Sequence, residues 1–423
     1  MKKVLIVTYY WPPAGGPGVQ RWLKFIKYLP ENGIEPILYI PKNPHYPITD
    51  SSLIKEIPEG LTIYRNSIWE PYKLASLISS KNTNRISSGI IKTKKPSFSE
   101  RMFLWIRGNF FIPDARRSWV KPSIKFLSEI ITKEKIQIVI TSGPPHSLHL
   151  IGVGLKQKHG LTWIADFRDP WTSIGYHKAL RLTRKSQKKH QALEHRVLNE
   201  ADKILVTSKA TETEFRTKTT RPISVITNGY DTDYEGGAAL DTGFTISHIG
   251  SLLSERNPIV LWRVLSELAR EHLSFKQSLQ IKLVGVISEE VLNEIKKYDL
   301  ESALEVMPYV PHEEALLMQR SSQILLLAEI NKDETRGIIP GKLFEYMSAR
   351  RPILAIGPPG WEAAELIRET KAGNVFTYED AKELKETIWE WFISYQNNSL
   401  QMPITRIEKY SRKELTRKLA AQI

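Results

Sequence analysis

Throughout the 423 residues, short runs of branched apolar side chains alternate with longer stretches of helical period. Nothing else constrains the fold as strongly. Parallel strands need crossovers of a dozen or more residues, usually helical, and they read as near-continuous apolar runs because both faces are buried. In the front half such runs fall at 4–10, 36–40, 61–65, 136–142, 162–167, 203–208 and 223–228. In the back half they fall at 245–251, 281–286, 304–310, 324–330, 352–357 and 374–378. Each set suffices for its own open, doubly wound parallel sheet with helices on both faces, so the expected class is α/β with two Rossmann-like domains. Asn228-Gly229-Tyr230-Asp231 and Tyr234-Glu235-Gly236-Gly237 form the best linker between them. The expected division is 1–235, 236–390 and a tail over 391–423, with helices predicted at 381–395 and 405–421.

Composition removes several chemistries. The chain has no cysteine, which excludes a disulfide scaffold, a zinc knuckle, an iron–sulfur centre and a thiolate nucleophile. The longest apolar strings, 324–328 and 4–7, are far shorter than the ~18–20 residues a membrane span needs. Lys2-Lys3 resembles a signal n-region, yet the apolar stretch soon meets Trp11-Pro12-Pro13 without a small-residue cleavage site. It therefore reads as the first strand of a cytosolic protein. The net charge of +14 is unevenly placed: residues 1–244 hold 37 basic against 21 acidic side chains, and residues 245–390 hold 17 against 23. Two stretches carry most of the excess, 81–125 and 177–196. The first interleaves Phe98, Phe103, Trp105, Phe110, Phe111 and Trp119 with its cations. Such a surface either solubilises a large loop and a helix or attracts a polyanion or anionic membrane.

Doubly wound domains bind ligands at the carboxyl ends of their strands, where loops meet helix N-termini. The first strand runs into Trp11-Pro12-Pro13-Ala14-Gly15-Gly16-Pro17-Gly18 ahead of a helix over 19–29. Glycines there admit a ligand close to the backbone and leave N–H groups for an anion, or simply make a tight turn. The spacing is neither the G-x-G-x-x-G fingerprint of dinucleotide sites nor a P-loop. The strand at 136–142 ends in Ser142-Gly143-Pro144-Pro145-His146-Ser147-Leu148-His149, where either histidine can orient a substrate hydroxyl. The strand at 162–167 ends in Asp166-Phe167-Arg168-Asp169-Pro170-Trp171. Charges crowded at a strand end are costly unless paired or used. They either staple the loop as an Arg168–carboxylate pair or act on a ligand, and the latter is expected.

In the back half, His248-Ile249-Gly250-Ser251-Leu252 closes a strand and Arg256 follows, a glycine turn and a guanidinium suited to a diphosphate. The richest stretch is Gly337-Ile338-Ile339-Pro340-Gly341-Lys342-Leu343-Phe344-Glu345-Tyr346-Met347. Pro340 marks a helix start and places Gly341 and Lys342 in the first turn, so free N–H groups and an ammonium converge. Glu345, one turn on, would repel phosphate and suits sugar or ribose hydroxyls instead.

With these residues in view, the chain resembles the retaining glycosyltransferases of the two-Rossmann (GT-B) type, glycosyltransferase family 4 and its relatives, over nearly its whole length. The resemblance implies two domains facing across a cleft, with the last helix returning to the front domain. It implies a nucleotide-sugar donor in the back domain, held by Gly250, Ser251, Arg256, Gly337, Pro340, Gly341, Lys342 and Glu345. The front domain would present a glycan or lipid-linked acceptor, with Gly15, Gly16, Gly18 and Trp171 around it and Asp169, Arg168 and His146 as catalytic candidates. Relatives carry two glutamates eight positions apart; Glu345 matches the second, but the first falls on Gly337, leaving Glu334 or a backbone amide to replace it. The family's histidine at the fifth strand end falls on Arg168, with Asp169 beside it. The implied reaction is transfer with retention, without a metal or other cofactor. Asp231-Thr232-Asp233 has the D-x-D pattern but lies in the linker and is assigned no metal. The implied setting is cell-surface polysaccharide or lipopolysaccharide synthesis in the cytoplasm, with peripheral contact at the inner membrane face and no nucleic-acid partner. Two rivals stand beside this: a nucleotide-sugar epimerase of the same architecture, and a non-catalytic polyanion binder.

Overall fold

The computed structural model describes residues 1–70, 98–175, 177, 180–231 and 238–423. Residues 81–97 of the basic aromatic stretch and 232–237 of the linker, including two residues of the D-x-D triplet, lie outside them. The chain divides into two compact units, Met1–Asn228 with Arg412–Ile423, and Gly229–Ser411.

The first unit contains seven parallel strands, β1 (Lys2–Val7), β2 (Ile34–Pro41), β3 (Thr62–Asn66), β4 (Ile138–Gly143), β5 (Thr162–Phe167), β6 (Lys203–Val206) and β7 (Ile223–Val225). Their order in the sheet is β3-β2-β1-β4-β5-β6-β7. Its helices are α1 (Pro17–Tyr28), α2 (Phe98–Phe110), α3 (Arg117–Glu134), α4 (Ser147–His159), α5 (Arg184–Glu200) and α6 (Lys209–Arg216). The first helix begins where proline presets its φ angle. It buries Val19, Trp22, Leu23, Phe25 and Ile26 against one face of the sheet, with Val4, Ile6 and Leu38. The other face packs Leu5, Val7 and Val139 against Trp119, Leu127 and Leu148 of α3 and α4.

The second unit holds six parallel strands, β8 (Phe244–Ile249), β9 (Leu279–Val284), β10 (Leu304–Met307), β11 (Ile324–Ala328), β12 (Ile353–Ile356) and β13 (Gly373–Phe376), in the order β10-β9-β8-β11-β12-β13. Between them run α7 (Ile259–Glu271), α8 (Leu273–Ser278), α9 (Glu289–Lys297), α10 (His312–Ser321), α11 (Lys342–Ser348), α12 (Glu362–Thr370) and α13 (Ala381–Gln396).

All thirteen expected runs form strands, and most overshoot at the carboxyl end. Apolar burial outlasts the ladder there: Leu252 is fully buried three residues past β8 and only bridges Ile287. The tail is divided differently from the expectation. Residues through Ser411 stay with the second unit, where Thr405 N–H donates to Thr370 O and Tyr230 bridges Ser411. Arg406 has φ +58°, incompatible with a helix, so the predicted helix over 405–421 shrinks to α14 (Arg412–Ala420). Leu415 and Leu419 of α14 join the α1 face of the first unit.

In each sheet the strand order reverses once, between β1 and β4 and between β8 and β11. Those reversals open the crevices in which doubly wound sheets hold ligands.

Candidate functional site

In the second unit the crevice is flanked by Gly250 after β8 and Glu329 after β11. Gly250 has φ +120°, and a Cβ there would lie 2.6 Å from Lys342 Nζ, so glycine is required for the lysine to cross the strand end. Lys342 Nζ donates to His248 Nε2 at 3.1 Å. The other ring nitrogen, Nδ1, lies 3.0 Å from Leu326 O, which assigns the proton to Nδ1. Burial holds the His248 imidazole well below its usual range, helped by the Lys342 charge, so the ring is a neutral acceptor. The same burial pulls Lys342 down to about 7, with Arg256 repelling its charge and Glu345 and Glu329 opposing that. A second tie, from Ile249 N–H to Tyr346 Oη at 3.0 Å, clamps α11 onto β8.

Arg256 meets Glu329 in a two-pronged pair, Nε–Oε1 2.8 Å and Nη2–Oε2 3.2 Å. The carboxylate is fully buried, whereas the guanidinium is one-third exposed. Glu329 is itself tethered: Ile330 N–H donates to Oε1, and its main chain receives Tyr378 Oη. Such a pair holds the fork of the guanidinium in one plane. Both oxygens of Glu345 are occupied, by His312 Nε2 and Gln319 Nε2, each at 3.1 Å, from one face of α10.

The helix N-terminus is less open than expected. Pro340 O and Gly341 O accept from Leu343 and Phe344 N–H, and α11 has only seven residues. Gly337 lies in a loop pinned to the next helix, where Trp361 Nε1 donates to Ile338 O and Glu362 N–H to Arg336 O. Ser251 lies beside the cluster, its carbonyl 3.3 Å from His248 Nε2. Glu334, the expected stand-in for the missing glutamate, is exposed. Of the donor-site residues, the structure thus joins Ser251 and Lys342 through His248, sets Gly250 against Lys342, fixes Arg256 through Glu329, and holds Glu345 with α10. Glu329, His248, His312 and Gln319 were not assigned roles from the sequence. Glu329 follows the apolar run 324–328, a strand end that carried the necessary signal.

In the first unit the charges of 166–169 separate. Asp166 is fully buried and takes Arg21 (Nη2–Oδ1 2.8 Å, Nε–Oδ2 3.3 Å), Trp22 Nε1 (2.9 Å) and Ser142 Oγ (2.7 Å). Those bonds to Arg21, Ser142 and Trp22 hold its carboxyl below the usual range despite burial. Arg168 instead donates to Gly143 O and Pro144 O, lies over the Tyr10 ring, and lies where a Gly18 Cβ would stand. It is a loop staple made through carbonyls rather than through a carboxylate. Asp169 is exposed. Gly16 has φ +93° and caps α1, while Gly15 N–H is spent on Ile48 O at 3.0 Å, not left for an anion.

His146 and Trp171 are stacked 4.8 Å apart and are only 3% and 0% exposed. Trp171 Nε1 donates to His190 Nδ1 at 3.1 Å. Packing thus shuts both rings away from solvent, a departure from their expected contact with acceptor. Burial depresses His146 well below its usual range, His149 to about 3 and His177 to about 4. The start of α4 already holds an anion of its own: Asp114 accepts from Ser147 N–H and Oγ, both at 2.8 Å. Among the described residues, no three His, Cys, Asp or Glu side chains are placed to hold a metal ion.

Residues 92–234 match the family model Glycosyltransferase Family 4, and residues 234–409 match Glycosyl transferases group 1. The chain is a glycosyltransferase of the GT-B fold. The fold is shared across solved structures at low identity. A glycosyltransferase from Rickettsia africae ESF-5 superposes with a TM-score of 0.61 at 15% identity, covering 100% of this chain and 97% of that one. A mutant of S. aureus TarM, in complex with Fondaparinux, alpha-GlcNAc-glycerol and UDP, gives 0.59 at 12%, covering 100% and 99%. WaaG, a glycosyltransferase involved in lipopolysaccharide biosynthesis, gives 0.55 at 11%, covering 99% and 95%. No curated protein matches the sequence. In this glycosyltransferase, no helix among the described residues is long and apolar enough to cross a membrane.

Proposed function

We propose that this glycosyltransferase moves a sugar from a nucleoside-diphosphate donor to a glycan or lipid-linked acceptor, with retention of anomeric configuration and without a metal. The observation that carries the reading is the cluster at the β8/β11 reversal, where Lys342 crosses Gly250 and the Glu329-held Arg256 stands near enough to repel the lysine's charge. Two cations beside a glycine turn are what a diphosphate requires. As the glycosidic bond breaks, negative charge grows on the β-phosphate, and preformed cations at a fixed place lower that barrier without reorganising. The departing phosphate can accept the acceptor's proton, so no separate strong base is needed. Glu345, its oxygens aligned by His312 and Gln319, would take ribose hydroxyls by adding to bonds it already accepts. Asp169, exposed beside Arg168, is the carboxylate of the front site that can meet a sugar hydroxyl. Gly18, which leaves room for Arg168, Gly15, packed on Ile48 and Asp50, and Gly16, whose positive φ starts α1, would together shape the acceptor side. The setting proposed is cell-surface polysaccharide or lipopolysaccharide synthesis at the cytoplasmic face of the inner membrane.

The test is donor turnover by the full chain across a nucleotide-sugar panel, with product anomers read by NMR. Retention, full activity in EDTA, and loss in Arg256→Ala and Lys342→Met are expected. An inverted product, dependence on added metal, or undiminished turnover in both variants would overturn the proposal.

A further inference from the structure

We infer that the outward face of α2 and the basic start of α5 form a single docking surface for an anionic phospholipid bilayer. The α2 helix faces inward through Leu104, 5% exposed, and Gly108, where a Cβ would come within 2.9 Å of Leu180 and Leu182. The opposite side presents Met102, Trp105 and Phe110, which are 46%, 40% and 60% exposed. At 100° per residue these three fall within one arc, with half-buried Ile106 between them. Arg117 Nη1 donates to Phe110 O at 3.0 Å, and the next residue, Ser118, donates through Oγ to Trp69 O at 2.6 Å, which brings Trp69, 57% exposed, toward the end of α2.

The cations stand beside this apolar face rather than on it. Asn109 Nδ2 donates to Arg181 O, and Thr183 N–H returns a bond to Asn109 Oδ1 at 2.8 Å. Thr183 then caps α5, its hydroxyl accepting from Ser186 N–H. The start of α5 is therefore fixed to the end of α2, and Arg181, Arg184, Lys185, Lys188 and Lys189 emerge exposed from that junction onward. None of these five makes an ion pair with a described residue.

Exposed indole and phenyl rings flanked by unpaired cations suit the headgroup region, where rings sit at the interface and cations meet acidic lipid. A second copy of the chain would bring like charges together. Bases want a run of parallel stacking platforms, whereas Trp105 and Phe110 stand at 68° to each other at 5.6 Å and Met102 has no ring. Trp119, from the same stretch of sequence, turns inward and stacks on Tyr39, so only part of the aromatic run serves the surface. The purpose of the surface rests on the lipid-linked acceptor proposed above; its geometry does not.

The experiment is flotation of the full chain with phosphatidylcholine vesicles, with and without phosphatidylglycerol, at low and high salt. Two exposed-site variants accompany it, Trp105→Ala with Phe110→Ala, and Lys185→Glu with Lys188→Glu. The native chain is expected to float with the anionic vesicles alone and to detach at high salt. Each surface cation contributes about 5-fold to partitioning, so the charge variant should lose at least ~25-fold. The aromatic variant should also lose binding, with both variants keeping the native melting temperature and turnover of a water-soluble donor. That last readout separates failure of the surface from failure of the transferase proposal. No flotation, equal flotation on neutral vesicles, variants that bind like the native chain, or retention on duplex DNA instead of vesicles would each overturn the inference.

Discussion

Substituting Gly250 by alanine should disarm the donor site while leaving the fold in place. The new methyl would stand 2.6 Å from Lys342 Nζ and 3.1 Å from its Cε, well inside ordinary contact. The ammonium is the far end of a flexible side chain, so it is the part that gives way. Moving by about 1 Å, the distance needed to restore contact, it loses the 3.1 Å bond to His248. A charge-assisted hydrogen bond to a phosphate is worth roughly 1.5–3 kcal/mol, so donor affinity should fall on the order of 10- to 150-fold. Alanine at φ +120° adds backbone strain of about 1–3 kcal/mol, at ~2–4 °C of melting temperature per kcal/mol. Calorimetric titration of donor into both proteins measures the first effect, and differential scanning the second. A cycle with Lys342→Met isolates the cause: if displacement of the lysine is responsible, the double variant binds no worse than Lys342→Met alone. A Gly250→Ala chain that stays folded and binds donor like the native chain would refute the argument.

Burial pulls Lys342 down to about 7, so it is cationic below that pH and neutral above it. Donor affinity should fall about tenfold per pH unit above 7, until the pKa of the bound state is reached, and Lys342→Met should flatten that profile in calorimetry. His149 and His177 titrate near 3 and 4 when folded but near 6.5 when unfolded, so the unfolded chain binds more protons between those values. Stability is therefore full above pH 6.5 and falls with acid, by up to ~2.7 kcal/mol per pH unit for the two between about 4.5 and 6, which melting against pH will show. Removing the Asp166 carboxylate with Asp166→Ala leaves Arg21 buried without its partner and should cost roughly 3–5 kcal/mol, read as a drop in melting temperature. Glu329→Gln keeps the shape but releases the guanidinium plane; kcat is expected to fall more than KM rises, a split that loss of fold alone would not produce.

The fold was legible because parallel strands buried on both faces announce themselves: 324–328, written Ile-Leu-Leu-Leu-Ala, has no other reading at that length. Lys342 was legible for a related reason, since Pro340 and Gly341 mark the turn that delivers it to a strand end. Partners brought together by topology were not. Nothing local pairs Arg21 with Asp166, 145 residues away, or Arg256 with Glu329, 73 away, because both pairs depend on which strands become neighbours. Arg168 shows the same limit in reverse. Its nearest carboxylates in sequence offer an ion pair beside the expected role on a ligand, yet Asp166 is captured from α1 and Arg168 turns to carbonyls. His146 and Trp171 carry polar atoms suggestive of chemistry, but their flat rings stack together in a densely packed layer, which no spacing rule reveals.

The most direct test of the whole account is calorimetric titration of the full chain with UDP, GDP, ADP and CMP, beside Arg256→Ala and Lys342→Met. At least one nucleoside diphosphate is expected to bind the native chain, with affinity weakened at least tenfold in each variant. Equal binding to all three proteins, or preserved melting temperatures with no nucleotide bound by any of them, would contradict it.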